Sequence, residues 1–453
     1  MSQLTRTLKS VVTEPEAHHS VKTKVRRNIK ASFRKVLEMQ AARKDLDEAK
    51  LWAIATHIQM NPSLTTHFEA MVIQNDTEVG GSGRSGSQSS RSPSFQAHAE
   101  KGSFTFIDLF AGIGGFHLAL SSAGGRCVFA SEWDNSARRT YAMNHGLVPF
   151  GDIRDFTRTN FSPKDNAEVS SLIPYADVVA AGFPCQPFSQ AGVSSRNFHG
   201  KEHGLKCEAQ GTLFEDILII ARAIKPKVLL LENVSNLARH DGGNTLRVIT
   251  SEIELAGYTL FPRRRENDGS KWATIDSQSV VAQRRKRVYF VAVRNDLVES
   301  IGEFNFPEFS PPTIPFALED VLKLDDELTE QEKLEKYSIS PRLWASHQVR
   351  QNRHIAANNG FRIGLVEDLS KPAPTLVARY YKDGKDCLIP NRIDPSRPPR
   401  MLTPRECALL QTYPQDFWIP ESRTPAYKQF GNSITVEIAR RVARAIKVQY
   451  LSD

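Results

Sequence analysis

The chain has 453 residues, of which 40% are hydrophobic and 24% charged, a composition that excludes a wholly disordered protein and allows two or three folded units. Its formal net charge of +8 favours polyanionic partners such as nucleic acid, although basic residues can equally serve solubility alone. The five cysteines are an odd number and form no CxxC pair, which indicates neither a disulfide framework nor a zinc module and favours a reduced protein without a metal site. No signal peptide and no apolar run long enough to span a bilayer is present, so no membrane association is expected.

The first predicted unit is a basic helical extension over residues 1–79. Residues 19–35 carry seven Lys or Arg side chains and no acid, and an amphipathic helical pattern follows. No clear helix-turn-helix pattern is present, which favours a packing or regulatory appendage over a module that reads DNA sequence. Residues 80–101 contain the run GGSGRSGSQSSRSPS and are predicted to form a flexible linker, because they lack side chains that could anchor a core.

A doubly wound α/β domain with a parallel sheet is predicted next, because short apolar runs alternate with helical patterns. The candidate strands are residues 104–110, 127–132, 177–183, 228–234 and 287–293. Between two of these strands, residues 213–224 present one apolar helical face that could pack on the sheet.

The rhythm changes at about residue 297. Residues 297–424 contain many prolines, mixed charges and short β-like runs such as APTLVARYY and DCLIP, which predicts a smaller, irregular domain. The last segment contains SITVEIARRVARAIKVQYL, an amphipathic helical pattern. We expect this helix to return to the α/β domain.

A glycine-rich turn is predicted where the first strand meets a helix. FAGIGG, residues 110–115, is placed where glycines let a nucleotide-like ligand approach the backbone. The run lacks the full GxGxxG spacing, so a tight turn explains the glycines nearly as well. Glu132 ends the next strand, where a carboxylate can accept hydrogen bonds from both ribose hydroxyls, with a solvated strand-end acid as the alternative.

Two side chains with chemical potential follow neighbouring candidate strands. Cys185 lies in AGFPCQPFSQAG, a proline-flanked loop that would expose its thiol. Glu232 ends the apolar strand of LLLENV, and strand carboxyl ends line the ligand crevice of an open α/β sheet. Both side chains are therefore expected at one sheet edge. Considered singly, an inert cysteine and a structural acid are the alternatives.

Two arginines begin the last candidate strand. In QRRKRVYF, Arg285 and Arg287 are two positions apart, which predicts that they share one face. Paired guanidinium groups suit carbonyl or phosphate oxygens, but a basic surface strand is about as plausible. These residues alone do not decide between the two interpretations.

Read in order, these stretches resemble the conserved blocks of the cytosine-C5 DNA methyltransferases, and bacterial modification enzymes in particular. The blocks are FAGIGG, the acid at Glu132, PCQ, ENV, QxRxR, LTPRECALLQ and QFGNS, in the family's order over residues 103–445. The resemblance implies a Rossmann-like, mixed-sheet methyltransferase domain over residues 102–296, completed by residues 425–453. It also implies a target-recognition domain over residues 297–424, with S-adenosylmethionine as cofactor and double-stranded DNA as partner.

The resemblance further implies a mechanism without a metal ion. The Cys185 thiolate would attack carbon 6 of cytosine, which makes carbon 5 nucleophilic toward the sulfonium methyl group. Glu232 would hold and help protonate ring nitrogen 3, Arg287 would hold the carbonyl oxygen of the base, and Arg285 would assist or orient the loop. Because a cytosine in a duplex is stacked, it would first have to be flipped out.

The family's blocks also assign the cofactor site. The matching residues are Phe110, Gly112, Gly114, Glu132, Trp133, Asp152, Ile153, Asn432 and Ser433. The glycine-rich turn would shape the methionine pocket, and Glu132 would bind the ribose hydroxyls. Trp133 and Ile153 would sandwich the adenine and Asp152 would accept from its amino group, although Trp133 could instead be ordinary core. Asn432 and Ser433 would close the pocket.

Substrate contacts are expected in the target-recognition domain. Thr375 and Leu376 match the family's target-recognition signature. Arg379 follows, and it is expected to reach DNA together with its neighbours Tyr380, Tyr381 and Lys382. RYYKDG can equally form a strand and turn of the scaffold.

Three positions depart from the family's usual letters. Ala282 stands where a proline commonly precedes QxRxR, and Thr412 and Tyr413 stand where glycine and phenylalanine are usual. These positions affect packing turns and leave the nucleophile, the ENV acid and the cofactor loop intact.

The sequence therefore predicts a monomeric DNA (cytosine-5-)-methyltransferase that acts on a short duplex sequence in a restriction-modification or epigenetic marking system. A location in the bacterial cytoplasm, on the nucleoid, is expected. Two alternatives stay open. One is a transfer RNA cytosine-5 methyltransferase, and the other is a DNA-binding transcriptional regulator that uses the N-terminal arm.

Overall fold

The structure is a computed structural model that describes residues 103–159, 162–184, 213–262, 271–310, 312–359 and 362–452. The predicted basic extension and linker, over residues 1–101, and Cys185 lie outside these residues. Apart from residues 146–148, the described residues belong to one compact unit. The boundaries proposed for the domains stay predictions.

A mixed β-sheet forms the centre of the unit. In chain order the strands are Phe104–Leu109 (β1), Gly125–Ser131 (β2), Arg158–Thr159 (β3), Ser162–Pro163 (β4), Val178–Gly182 (β5), Val228–Val234 (β6), Tyr258–Phe261 (β7), Ala273–Asp276 (β8) and Lys286–Arg294 (β9). Seven of these described strands form one sheet in the order β2-β1-β5-β6-β9-β7, with β8 also pairing with β9. β1, β2, β5 and β6 are parallel, and β9 is antiparallel to β6, β7 and β8. The five candidate strands are confirmed as β1, β2, β5, β6 and β9.

Helices cover both faces of this sheet. In chain order they are Gly115–Ser122 (α1), Asn135–His145 (α2), Arg154–Thr157 (α3), Asn166–Leu172 (α4), Leu213–Ile224 (α5), Asn244–Leu255 (α6), Asn295–Ile301 (α7), Leu318–Leu324 (α8), Glu330–Tyr337 (α9), Pro341–Ala356 (α10), Tyr380–Asp383 (α11), Pro404–Leu410 (α12), Arg423–Asn432 (α13) and Val436–Ile446 (α14). The hydrophobic core on one face includes α1 and α14, and the core on the other includes α4, α5 and α6. The doubly wound arrangement predicted from the sequence is therefore confirmed.

The apolar strands explain why the sheet is buried on both sides. In β5, Val178 and Ala180 belong to one core while Val179 and Ala181 belong to the other. Strands covered on both faces need apolar residues at every position, which is why these runs do not alternate with polar residues. The helical face predicted over residues 213–224 is confirmed as α5, where each fully buried Ile or Leu side chain contributes about 1.5–3 kcal/mol.

The C-terminal amphipathic helix also packs where it was expected. α14 buries Val436, Ala439, Val442 and Ile446, which recur at helical spacing, in the same core as α1. Residues 433–446 thus return to the sheet, and the glycine-rich turn that precedes α1 lies beside them.

The segment between β9 and α13 is more helical than its prolines suggest, with α8, α9, α10 and α12 among its described residues. The β-like run APTLVARYY forms only an isolated bridge, between Ala373 and Gln283, and then turns into α11. The second run, DCLIP, bridges Leu388 to Leu365 and Ile389 to Arg400. These pairings attach the segment to its own scaffold and, through Gln283, to the start of β9.

Candidate active site

The β1–α1 turn forms a glycine-lined cradle at the carboxyl edge of the sheet. Phe110, Gly112 and Gly114 all have positive φ, at 53°, 55° and 87°. A Cβ atom on Gly114 would lie 2.0 Å from Nε2 of His145, whereas a Cβ atom on Gly112 would meet nothing within 4 Å. Gly114 is therefore required by packing, and Gly112 leaves open space beside the backbone, as a cradle for a ligand would.

Glu132 is attached to this turn by its carboxylate. Oε2 accepts from the backbone N–H of Gly112 at 2.9 Å, and Oε1 accepts from the N–H of Asp134 at 2.8 Å. Burial raises the pKa of Glu132 above its ordinary value, and these backbone hydrogen bonds oppose the shift. Each carboxylate oxygen keeps acceptor capacity for a hydroxyl group, so the residue fits the ribose-binding role predicted for it.

The residues predicted to hold adenine lie on two adjacent segments. The N–H of Glu132 donates to the carbonyl of Phe150 at 2.9 Å, which aligns residues 131–133 with residues 150–153. Trp133 is 77% exposed and Ile153 is buried, so Trp133 is not ordinary core. The Asp152 carboxylate is partly exposed and pairs with Arg154, whose hydrogen bonds lower the pKa of Asp152. A large exposed ring beside a buried aliphatic side chain suits a stacked heterocycle.

The C-terminal block approaches the same turn from α13. Asn432 is exposed, and the Ser433 hydroxyl donates to the carbonyl of Phe430 at 3.0 Å. A Cβ atom on Gly115 would lie 2.6 Å from Cγ1 of Ile434, so the residue after Ser433 touches the glycine-rich turn. The structure thus brings the predicted first and last parts of the cofactor site together.

The end of β5, which precedes Cys185, lies next to the end of β6, which carries Glu232. β5 pairs with β6 in a register that sets Gly182 opposite Glu232. Asn233 donates from its side-chain amide to the carbonyl of Phe183 at 2.9 Å, two residues before Cys185. The chain therefore leaves the sheet toward Cys185 beside the Glu232 carboxylate, although Cys185 itself is outside the described residues.

Glu232 and Arg287 form an ion pair at this edge. Arg287 Nε lies 3.1 Å from Glu232 Oε1, and both side chains are mostly buried. Burial raises the pKa of Glu232 above its ordinary value, while the positive charges of Arg287 and Arg285 oppose the shift. A carboxyl group with a raised pKa and a partly exposed guanidinium group can serve as a proton donor and a carbonyl ligand for one substrate ring.

Arg285 is placed differently from Arg287. It precedes β9, is fully buried, and its guanidinium donates to the carbonyls of Leu376 at 2.7 Å, Gly431 at 3.1 Å and Ser433 at 2.6 Å. Burial lowers the pKa of Arg285 to about 9, which leaves the group charged at neutral pH. The side chain therefore holds the recognition segment and the C-terminal block against the active-site strand.

The predicted substrate residues separate into scaffold and surface. The Thr375 hydroxyl donates to the carbonyl of Arg284 at 2.6 Å, and the side chain of Leu376 is fully buried, so Leu376 can affect DNA only through the position of its segment. Tyr380 is also fully buried and its hydroxyl donates to the carbonyl of Cys387, so the expectation that Tyr380 reaches DNA is wrong. Arg379 is exposed at the start of α11.

A cavity of about 420 Å³ opens beside the Arg287 side chain. Its lining consists of Ser235, Asp276, Gln278, Arg284, Lys286, Arg287 and Thr375. Three of these seven residues are cationic, which suits a ligand that carries phosphate. The cavity joins a predicted catalytic residue, Arg287, to a predicted substrate residue, Thr375.

Gln283 and Asn233, which belong to the QxRxR and ENV blocks, have positioning roles that were not predicted from the sequence. Gln283 accepts from the N–H of Leu376 at 3.0 Å and donates to the carbonyl of Leu410 at 3.4 Å. Asn233 fixes the segment before Cys185, as described above. The letters of QxRxR and ENV could have identified both, but only their distant partners define what they do.

A buried polar cluster beneath the glycine-rich turn was missed. Asp108 is fully buried, and burial raises its pKa well above the ordinary value, while the backbone of His117 opposes the shift. On the next helix, the His117 ring bonds to the hydroxyl of Tyr141 at 2.7 Å. The available signal was an acid inside the apolar run FTFIDLF.

The structure accommodates the departures from the family's letters. Thr412 has a φ of 62°, a conformation that favours glycine, but its hydroxyl accepts from the N–H of Glu437 at 2.9 Å in the first turn of α14. The ring of Tyr413 packs against Phe417 and Phe430, with centroids 4.6 and 5.5 Å away. The carbonyl of Ala282 accepts from the N–H of Ala373 at 2.8 Å.

Neither a membrane-spanning helix nor a metal-binding cluster is present among the described residues. None of the helices found there has the length and apolar character needed to cross a membrane. The same part of the chain contains no group of three or more His, Cys, Asp or Glu side chains arranged to hold a metal ion.

Comparisons with known proteins agree on one family. The family model for C-5 cytosine-specific DNA methylase matches residues 104–448. A DNA-cytosine methyltransferase of Escherichia coli K12 is 38% identical over 383 residues, covering 78% of this chain and 80% of that protein. The Type II methyltransferase M.NlaX of Neisseria lactamica is 40% identical over 349 residues, covering 76% of this chain and 96% of that protein.

A solved structure supports the fold assignment. The crystal structure of S. pombe Dnmt2 methyltransferase superimposes with a TM-score of 0.52, covering 77% of this chain and 99% of that chain. Its sequence identity is 19%, so the likeness concerns the fold alone.

Proposed function

Because the chain belongs to the C-5 cytosine-specific DNA methylase family, we propose that it transfers a methyl group from S-adenosylmethionine to carbon 5 of a cytosine in duplex DNA. The observation that carries this proposal is the placement of Glu232 and Arg287. The two side chains form an ion pair 3.1 Å apart at the strand end beside Gly182, three residues before Cys185.

Cys185 is the proposed nucleophile. Its thiolate adds to carbon 6 of the cytosine ring, and the electron pair of the 5,6 double bond becomes available at carbon 5. S-adenosylmethionine, when bound, would supply the electrophilic methyl group to carbon 5 and would leave as S-adenosylhomocysteine. Loss of the carbon 5 proton to solvent then expels the Cys185 thiolate and restores the double bond.

Glu232 and Arg287 stabilise the charge that this addition creates. Negative charge develops on ring nitrogen 3 and the carbonyl oxygen as the thiolate adds, and both atoms lie on one edge of the ring. Glu232, whose pKa is raised by burial, acts in its protonated form: it donates its proton to nitrogen 3 and takes it back when Cys185 leaves, while Arg287 donates to the carbonyl oxygen. The 3.1 Å contact between the two side chains sets these two groups side by side, as one ring edge requires.

The cofactor residues fit a nucleotide-like sulfonium compound. Gly112 leaves open space over the turn, Glu132 offers carboxylate oxygens for the ribose, and Trp133 presents an exposed ring for the adenine. Asp152 would accept from the adenine amino group. Asn432 and Ser433 would close the site from the other side.

The base must leave the DNA stack before Cys185 can reach it, at a cost of a few kcal/mol. The cationic cavity between Arg287 and Thr375 supports a role in holding the everted nucleotide by its phosphate. Arg379, exposed on the adjoining segment, is the proposed contact to the surrounding duplex. The named relatives support DNA as the substrate, and one of them is a Type II methyltransferase.

The test is methyl transfer from labelled S-adenosylmethionine to duplex DNA and, in parallel, to transfer RNA. We expect incorporation into DNA, and transfer to RNA alone would refute the proposal.

Cys185→Ser should abolish transfer while leaving cofactor affinity unchanged, with Cys207→Ser as a matched control. Duplex DNA containing 5-fluorocytosine at the target should trap a covalent adduct, and failure to trap it with active enzyme would refute the thiolate step. Base-resolution mapping of a methylated genome would then identify the target sequence.

A further inference from the structure

Helix α10, Pro341–Ala356, has little contact with the other residues that the structure describes. Twelve of its sixteen residues are exposed. The other four are Trp344, His347, Gln351 and His354, whose spacing of three, four and three residues places them on one narrow stripe. The protein thus maintains a helix about 24 Å long that buries only one edge.

That stripe anchors α10 to the recognition segment. His347 donates from Nε2 to the carbonyl of Gly384 at 3.0 Å, and Gln351 accepts from the N–H of Ile363 at 2.7 Å. A Cβ atom on Gly384 would lie 3.4 Å from Cδ2 of Leu343. Gly384 directly follows α11, and Arg379 directly precedes this short helix, so α10 lies beside the segment that carries the proposed DNA contact.

A second face of α10 is basic. Residues 338–359 include Arg342, Arg350 and Arg353 and no Asp or Glu. These arginines are exposed, and with Ser346 they follow an i, i+4, i+8, i+11 spacing that places them together on one face, which borders the anchoring stripe at Arg350, three residues after His347 and four before His354. At 1.5 Å per residue, Arg342 and Arg353 are about 16 Å apart along the helix.

We propose that this arginine face of α10 binds the phosphate backbone of duplex DNA next to the target site. The inference rests on the proposed function. A row of three guanidinium groups spanning about 16 Å exceeds the roughly 12 Å width of the major groove, so its ends can meet phosphates on both sides. Charge complementarity selects a polyanion, and continuity with Arg379 selects the DNA substrate over another partner. The contact positions the duplex and reads no bases.

The test removes the three charges and follows the salt dependence of DNA binding. We compare the full-length protein with its Arg342→Gln/Arg350→Gln/Arg353→Gln variant, by fluorescence anisotropy of a short labelled duplex. Loss of three phosphate contacts should reduce the slope of log K against log salt by about 2.7. The affinity ratio of wild type to variant should therefore shrink by about 40-fold between about 50 and 200 mM salt.

Two further variants separate the contact from a folding defect or a general charge effect. Replacing the same three arginines by lysine keeps the charges and should restore most of the slope. Lys323→Gln/Lys371→Gln/Arg397→Gln removes three exposed charges that are each paired with a nearby acid, and should leave the slope close to wild type. An unchanged slope in the glutamine variant of α10, or an equal reduction in this control, would overturn the proposal.

The outcome can be distinguished from failure of the proposed function. If the wild-type protein binds DNA through these arginines but transfers no methyl group, the enzymatic proposal fails and the contact stands. If DNA is methylated and the slope does not depend on the arginines, only the contact fails. A glutamine variant of α10 that loses affinity for transfer RNA and keeps its affinity for DNA would also refute the proposed DNA contact.

Discussion

Replacement of Arg285 by lysine should separate a positioning role from a catalytic one. Arg285 donates to three backbone carbonyls, those of Leu376, Gly431 and Ser433, and does so from a fully buried position. Lysine keeps the positive charge but replaces a planar, forked donor with a compact ammonium group. We expect it to retain one of the three carbonyls and to leave the other two without a donor.

The magnitude follows from those contacts. A hydrogen bond to a charged group contributes about 1.5–3 kcal/mol, so two lost bonds correspond to about 3–6 kcal/mol before relaxation. The substitution also removes Nε, which is buried without a hydrogen-bond partner among the described residues, and this offsets part of the loss. We therefore expect the free energy of unfolding to fall by about 2–4 kcal/mol.

Arg285→Lys should affect the binding of both substrates, DNA and S-adenosylmethionine. Leu376 belongs to the recognition segment, whereas Gly431 and Ser433 belong to the block that closes the proposed cofactor site. Arg285→Lys should therefore raise KM for DNA and for S-adenosylmethionine together. Arg287→Lys is the matched control, because its side chain pairs with Glu232 and should lower kcat with little change in the KM for the cofactor.

Urea unfolding and steady-state kinetics with each substrate varied in turn provide the measurements. A variant of Arg285 with wild-type stability, wild-type KM values and a reduced kcat would refute the positioning role. It would instead place the guanidinium of Arg285 in direct contact with the reacting base.

Three further predictions concern the cofactor turn, the proton donor and the N-terminal extension. Gly114→Ala forces a Cβ atom to within 2.0 Å of His145 Nε2 and should lower the free energy of unfolding by about 2–5 kcal/mol. Gly112→Ala should lower it by only about 1–2 kcal/mol but should weaken cofactor binding. Urea unfolding and calorimetric titration of the cofactor would show the difference, and equal losses of stability would contradict it. Because burial raises the pKa of Glu232, kcat should decline as the pH rises through that pKa and the proton donor is lost. Glu232→Gln should lower kcat by about 10²–10³-fold and remove this decline. A pH–rate profile of the variant that matches the wild-type profile would exclude Glu232 as the proton donor. Deletion of residues 1–79 should weaken DNA binding and flatten its salt dependence without abolishing methyl transfer; complete inactivation would mean that the extension is part of the catalytic fold.

Most of the sheet could be predicted because its signal is local. The five candidate strands are continuous apolar runs, and the buried faces of α5 and α14 recur at helical spacing. The antiparallel placement of β9 beside β6 was not predicted from the residues, because the direction of a strand depends on the course of the chain between strands. The recognition segment was predicted least well, since its short β-like runs form only isolated bridges.

In the candidate site, too, local features could be predicted from the sequence, whereas roles that depend on distant contacts could not. Glycines at positive φ and strand-end acids could be recognised from the sequence, since backbone conformation and position along a strand are local properties. The residue pattern alone did not distinguish the two arginines of QxRxR, and only the family resemblance implied different roles; the structure gives Arg287 a partly exposed ion pair and Arg285 three buried carbonyls. Likewise, adjacent tyrosines differ, with Tyr380 fully buried and Tyr381 exposed.

The sequence by itself determined the α/β architecture, the family and the chemical groups available at the sheet edge. The tertiary structure alone decided which of those groups face a ligand and which hold the scaffold. The reason is that each role depends on distant partners: Arg285 meets Leu376 across 91 positions of sequence and Ser433 across 148. Such neighbours are set by packing of the whole unit, which no local pattern of residues encodes.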